Sequence, residues 1–259
     1  MSPLLLETQG SVARITLNRP EVHNAFNEPL IAELTDAFQR MGEDSSVHVV
    51  VLTGAGKSFC AGADLEWMGK MAGYSHEENL TDARALQILF QTIDACPKVT
   101  IARINGAALG GGAGLVAVCD LAVASEAAVF AFSEARLGLI PAVISPYVLR
   151  KIGWSHASWL FLTAQRFSAA QARQVGLVTF VAPAEGSALD GNIDQLLDNL
   201  AQCGPEALAA TKRLLREIYG KSPGEAAEAT VHAIAAARVS EEGKEGIQAF
   251  LAKRKPAWT

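Results

Sequence analysis

The sequence predicts an α/β protein, with a strand-rich core over residues 1–183 followed by an all-helical region over 184–259. Three observations carry this. Segments of strand length alternate with segments of helical period up to about residue 180. Val47 to Leu52 is a continuous apolar run of the kind buried on both faces of a sheet. After Pro183 every periodic segment has the period of a helix. Half of the 259 residues are hydrophobic and the mean hydropathy is +0.20, enough apolar surface for a large core.

The elements follow in order. Val12 to Leu17 alternates in polarity behind a Gln9-Gly10 turn, so the chain opens with a hairpin-like pair of strands. Asn18-Arg19-Pro20-Glu21 breaks it. Asn27 caps a helix with Pro29 in its first turn and Leu30, Leu34, Ala37, Phe38 and Met41 on one face. The Val47–Leu52 strand comes next. Thr53 to Ser58 resembles the end of a phosphate-binding loop, but Val51 stands where that pattern needs a glycine, so this is a loop leaving a strand. Phe59 to Met68 reads as a strand end, a glycine and a helix spaced by Leu65, Met68 and Met71. Tyr74 to Leu80 is polar and reads as a mobile loop, with Thr81 capping a helix that Cys96-Pro97 stops. Leu121–Ala124 and Val129–Phe132 are short strands, Ser155–Thr163 a helix, Ser168-x-x-Gln171 the capping box of another, and Val178–Val181 a last strand. Helices follow over Leu189–Leu200, Glu206–Tyr219, Gly224–Val239 and Glu241–Lys253.

Composition removes several function classes. The net charge is −5 and the 22 basic residues are dispersed, which argues against a nucleic-acid partner. No apolar run reaches the roughly 18 residues that span a bilayer, and Met1 to Glu7 has neither the charge nor the cleavage site of a signal peptide, so a soluble cytoplasmic protein is expected. Cys60, Cys96, Cys119 and Cys203 stand far apart and read as reduced thiols; with five scattered histidines, no metal site is expected.

Two stretches carry chemistry. Ala102 to Asp120 reads as strand, glycine turn and buried helix, with Gly110, Gly111 and Gly112 at the turn. Such a turn either packs a helix tightly on a sheet or presents the unpaired first N–H groups of the helix to an anion. Glu134 lies among Phe130, Phe132, Leu137, Leu139 and Ile140. A carboxyl in that setting is either paired, with Arg136 as the nearby cation, or raised in pKa by desolvation as a general acid/base is.

Six motifs in one order resemble the crotonase (enoyl-CoA hydratase/isomerase) superfamily: Asn18-Arg19-Pro20 with Asn24-Ala25; Ser58 to Asp64; Asn105-Gly106 with Leu109 to Gly112; Cys119-Asp120; Glu134 with Gly138 and Pro141; and Phe250-x-x-Lys253-Arg-Lys255. The resemblance implies a spiral of ββα units with a C-terminal helical trimerisation region, and a homotrimer or dimer of trimers. It implies that the N–H groups of Ala63 and Gly111 form an oxyanion hole for a coenzyme A thioester. Asn24, Ala25, Ala61, Asp64, Leu65, Met68, Gly110 and Pro141 would line the substrate site, and Phe250 and Lys253 would reach a neighbour's coenzyme A. No cofactor beyond that coenzyme A is expected. Hydratases of the family commonly hold water between two glutamates; Glu134 matches one, and Gly114 stands at the other position, where it is expected to shape only the pocket wall. Glu77 or Glu78 of the polar loop is the candidate substitute acid. The stretches Gly110 to Leu115 and Ser133 to Tyr147 resemble bacterial methylglutaconyl-CoA and isohexenylglutaconyl-CoA hydratases. The implied activity is hydration of a branched 2-enoyl-CoA in leucine or acyclic terpene breakdown, with Arg136 a candidate partner for a second substrate carboxylate. An isomerase using Glu134 alone and a non-catalytic acyl-CoA- or RNA-binding protein are the rivals.

Overall fold

The computed structural model describes residues 2–184 and 186–259. The opening hairpin is β1 (Leu4–Gln9) and β2 (Val12–Leu17), paired antiparallel from Leu4 opposite Leu17 to Gln9 opposite Val12. Helix α1 (Glu28–Glu43) starts where Asn27 accepts a hydrogen bond from Leu30 N, and buries Leu30, Ile31, Leu34, Ala37 and Phe38. Three ββα turns follow. The first is β3 (Val49–Gly54), β4 (Ser58–Cys60), α2 (Leu65–Met71) and α3 (His76–Ala95). The second is β5 (Val99–Ile104), β6 (Ala107–Leu109) and α4 (Gly111–Val118). The third is β7 (Leu121–Ser125), β8 (Val129–Ala131), a 3-10 helix over Glu134–Leu137 and α5 (Ser145–Thr163). β9 (Arg166–Ser168), α6 (Ala169–Gln174) and β10 (Phe180–Ala182) finish the spiral.

Each turn gives its first strand to a six-stranded sheet of order β1-β2-β3-β5-β7-β10 and its second to a four-stranded sheet of order β4-β6-β8-β9. β3 is buried along its whole length, as its unbroken apolar sequence requires. Arg103 on β5 grips Asp190 through two hydrogen bonds of 2.7 and 2.9 Å. The chain divides into two compact units, one reaching to Cys96 and resuming over Thr100–Ile193, the other holding Pro97–Val99 and Asp194–Thr259. The second unit carries the bulk of α7 (Ala188–Ala201) and all of α8 (Pro205–Ile218), α9 (Pro223–Val239) and α10 (Glu241–Leu251). Among the described residues no helix is long and apolar enough to cross a membrane.

Several sequence expectations are corrected. Residues 76–80 are not loop but the first turns of α3, because Ser75 and Glu78 form a reciprocal capping box; Thr81 lies inside the helix and bonds back to Glu77 O. α5 begins at Ser145, not Ser155, and is interrupted at Gly153, where φ is 72°. On α2 the buried residue is Trp67, while Leu65 is 84% exposed. The short strands β6 and β9 have too few residues to show a period.

The capping box makes a direct prediction. Ser75→Ala should cost about 1 kcal/mol in urea unfolding, the usual loss of an N-cap, and the midpoint of the transition is the readout. A loop over 74–80 would show no change.

Candidate active site

Two backbone turns are pressed together by the spiral. The first, residues 61–64, leaves β4 and is held by the strap His23–Phe26: Ala61 N donates to His23 O at 3.0 Å, Phe26 N to Gly62 O at 2.7 Å and Asp64 N to Phe26 O at 2.8 Å. Phe26 and Ala63 thereby form a one-residue parallel bridge. In such a bridge the bonds to Phe26 use the flanking groups of Gly62 and Asp64, so the N–H of Ala63 itself points to the opposite side. It has no acceptor among the described residues. Gly62 sits at φ 91°, and a Cβ there would lie 2.9 Å from Leu109 O and 3.8 Å from Gly111 N. The turn therefore rests directly on the start of α4.

The second turn is Gly110. Its N–H donates to Ala131 O at 2.8 Å, and its φ of 51° with ψ of −121° is a conformation that glycine alone adopts readily. α4 then begins at Gly111, and its first internal bond is Gly114 N to Gly110 O. The N–H of Gly111 is left without a helical partner at the positive end of the helix dipole. Gly111 is half-buried and Ala63 exposed, so both free N–H groups belong to accessible backbone.

Glu134 opens the 3-10 helix that follows β8, which Gly138 closes at φ 71°. Its Oε1 lies over Gly110: a Cβ on that glycine would be 3.2 Å away. Its Oε2 is buried and has no hydrogen-bond partner among the described residues. The two readings of Glu134 left open by the sequence are separated here. Arg136 does not pair with it; its Nε donates to Ala164 O at 2.9 Å. Burial pushes the Glu134 carboxyl above its ordinary 4.5, opposed in part by a hydrogen bond from its own backbone N–H. The apolar setting is narrower than its neighbours in sequence imply. Phe130 and Phe132 are buried, whereas Leu137, Leu139 and Ile140 are exposed.

Other expected site residues divide into rim and brace. Ala61 and Met68 are half-buried and Leu65 exposed, on the turn and helix that carry Ala63; Pro141 is half-buried beyond Gly138. Asn24, Ala25 and Asp64 lie beside them but face inward. Asn24 is fully buried at φ 57°, accepting from Arg19 N at 2.9 Å and donating to Ala55 O at 2.9 Å and Ser58 O at 2.8 Å, so no part of its amide is left for a ligand. Asp64 caps α2 through Glu66 N and Trp67 N and pairs with Arg19 at 2.8 Å; these partners outweigh its burial and hold its carboxyl below the usual value. The guanidinium of Arg19 also donates to Ala25 O at 2.7 Å. Phe250, 82% exposed at the end of α10, and Lys253, at φ 51°, belong to the second unit.

Gly114 is not a mild position. It is buried, and a Cβ there would overlap Ile144 and come within 3.0 Å of Phe90 Cζ, so Gly114→Ala is an overpacking change of the class costing 1–3 kcal/mol. Glu78 is also removed as a substitute acid, since Ser75 holds its carboxylate in the cap and below the ordinary value. The Cys60 thiol, pushed up to about 12 by burial, is no nucleophile. Among the described residues no group of three or more His, Cys, Asp or Glu is placed to hold a metal. Sequence reasoning missed Ile144, Phe90 and the bracing role of Arg19. Only Arg19 had a signal, its place before Pro20 and five residues ahead of Asn24.

The arrangement is two N–H groups without acceptors among the described residues, a helix N-terminus and a carboxyl of raised pKa, all at the start of α4. It suits chemistry that develops an oxyanion while moving a proton. Residues 7–259 match the family described as enoyl-CoA hydratase/isomerase. The chain belongs to that enzyme family. It is similar along nearly its whole length to the 2,3-dehydroadipyl-CoA hydratase of Escherichia coli, 38% identical over 99% of this chain and 98% of that one. An Arabidopsis thaliana peroxisomal Δ(3,5)-Δ(2,4)-dienoyl-CoA isomerase is 30% identical, covering 96% of this chain and 93% of its own length. The crystal structure of an enoyl-CoA hydratase from Shewanella pealeana superposes with a TM-score of 0.94 at 40% identity, covering 99% and 96% of the two chains. The ββα spiral is thus the crotonase fold.

The buried carboxyl has a measurable signature. A folded-state pKa raised above the unfolded one means that Glu134 costs nothing below pH 4.5 and destabilises the fold increasingly as pH rises through the folded-state value. Glu134→Gln should therefore melt above the wild type at neutral pH, with the difference closing as pH falls below 4.5. A pH-independent difference would contradict this.

Proposed function

We propose that the enzyme is a hydratase that reversibly adds water to a branched 2-enoyl-CoA of the 3-methylglutaconyl type. The observation that carries this is the half-buried Glu134 carboxyl, with Oε1 over Gly110 at the start of α4 and Oε2 buried without a hydrogen-bond partner among the described residues. In the proposed reaction the Glu134 carboxylate takes a proton from water as the hydroxide adds to C3 of the acyl group. The electrons of the double bond move onto the thioester oxygen, where the N–H groups of Ala63 and Gly111 hold the enolate. These amides meet the charged oxygen more strongly than the neutral carbonyl, which is what lowers the barrier. Protonated Glu134 then returns its proton to C2, so H and OH add to one face. The coenzyme A lies along Ala61, Leu65 and Met68, braced from behind by Asn24 and Asp64, and no further cofactor enters.

The E. coli relative, named for a dehydroadipyl thioester, supports an acyl group ending in a carboxylate. Arg136 is exposed and among the described residues is tied through Nε, so its terminal amino groups are left to meet one. Isomerisation is the second reading, favoured by the lack of an acid at Gly114 and by the dienoyl-CoA isomerase relative. In the helical unit, Leu215, Tyr219, Val231, Ile234 and Val239 are each more than half exposed. We propose that further copies of this chain cover them in a trimer or dimer of trimers, within which Phe250 and Lys253 reach a neighbour's coenzyme A.

Mass spectrometry on a panel of 2-enoyl-CoA esters decides the reaction: a gain of one water supports hydration, and an isomer of unchanged mass supports the second reading. Glu134→Gln should lower single-turnover hydration by about 10²–10⁴-fold, and the acid limb of kcat/KM should lie above pH 4.5. Ala63→Pro deletes one donor while leaving Gly62 O and Asp64 N bonded to Phe26, and should cost about 10²-fold or more. Sedimentation should show a trimer or hexamer; a fully active monomer would contradict the assembly.

A further inference from the structure

Gly114 N donates to Gly110 O at 3.1 Å, so the two glycines stand one helical turn apart on one side of α4. At each, a side chain from elsewhere occupies the place of the missing Cβ. At Gly110 it is Glu134, with Oε1 at 3.2 Å; at Gly114 it is Ile144, whose Cγ2 and Cβ fill the position, with Phe90 Cζ at 3.0 Å. Two positions roughly 5 Å apart along the chain of α4 thus meet a carboxyl and a branched hydrocarbon in turn. This wall is stiff. Ile144 is 3% exposed, β-branched, and fixed at the start of α5 by Tyr147 N and Val148 N, which both donate to its carbonyl at 3.2 and 3.1 Å. Phe90 is fully buried and stacks on Tyr147 with ring centroids 5.6 Å apart.

We propose that Ile144 is the specificity-determining residue of the acyl site. By filling the volume over Gly114 it makes the side of the pocket next to Glu134 apolar and fixes its size. A hydroxyl or carboxylate placed against Ile144, which Phe90 backs, would lose its water with nothing to replace it, whereas an alkyl branch packs there. The substrate class is therefore an enoyl thioester with an alkyl substituent near the reacting carbons, any terminal carboxylate lying farther along the chain. This rests on the acyl-thioester reading above and narrows it.

The test uses Ile144→Val and Ile144→Ala in the full chain. Affinities for saturated butyryl-, 3-methylbutyryl- and octanoyl-CoA are measured by calorimetry, then kcat/KM on the matching enoyl esters. Ile144→Ala should shift the preference toward the larger acyl groups by about 10-fold or more, and Ile144→Val less in the same direction, on the 10–200-fold scale of a single methylene in an apolar pocket. The ratio between acyl groups is the readout that a merely structural role would not move. A ratio unchanged within about twofold in both folded variants overturns the proposal. Because the saturated esters do not react, discrimination by binding upholds it even if hydration is absent and the reaction assigned above fails; a wild type that binds none of them overturns both. The volume pairing has its own check: Gly114→Ala should lower the melting temperature, and Ile144→Ala added to it should recover part of the loss, whereas simply additive losses overturn the pairing.

Discussion

The constraint on which the site depends is the approach of one piece of backbone to another at van der Waals distance. The turn at Gly62 lies on Leu109 O, and Gly112, in the first turn of α4, lies so close to Cys60 O that a Cβ would overlap it. Side chains at either place would push the end of β4 away from the start of α4. With them absent, the turn bearing Ala63 packs against the start of α4, where a Cβ on Gly62 would lie 3.8 Å from Gly111 N. The two sheets of the spiral make this possible, since β4 and β6 are parallel neighbours in the four-stranded sheet and both run toward it.

Holding two amides in place requires that the turns bearing them not relax toward each other's carbonyls. The Arg19, Asn24 and Asp64 network does this. A fully buried amide with its carbonyl and amino groups satisfied and a carboxylate bonded to a guanidinium and two helix N–H groups are costly to break, because each would leave an unpaired polar group behind. The strap that Arg19 and Asn24 stabilise is the one whose Phe26 turns the Ala63 N–H outward. Preorganisation of this kind is what the oxyanion hole proposed for Ala63 and Gly111 requires.

Glu134 is the opposite case, with one carboxyl oxygen, Oε2, left without a partner among the described residues. Its 3-10 helix is anchored from behind, where Arg136 donates to the carbonyl of Ala164 at the end of α5 and Phe132 packs edge-on against Phe161 at 4.9 Å between centroids. A buried oxygen without a partner among the described residues destabilises the charged carboxyl and raises its pKa. Opposite Gly114 the neighbours are Ile144 and Phe90, which bring no ionisable group to that position.

The sequence by itself determined what depends on neighbours a few residues away. The opening hairpin, the Asn27 cap, the glycine turn before α4 and the helices after Pro183 follow from periods of 2 and 3.6 and from capping chemistry within one turn. The cap at Ser75 was equally local, with the same Ser-x-x-acid or amide spacing that marks Ser168 and Gln171, but polar composition over 74–80 masked it. The motifs also mark Ala63, Gly111 and Glu134 as candidate site residues. Tertiary structure alone decided what those residues face. That Arg136 turns to Ala164 and not to Glu134, that Asn24 and Asp64 point inward, and that Ile144 fills the space over Gly114 are contacts between segments far apart in the chain. No period or cap encodes such a contact, because it depends on how the sheets bring separate turns of the spiral together.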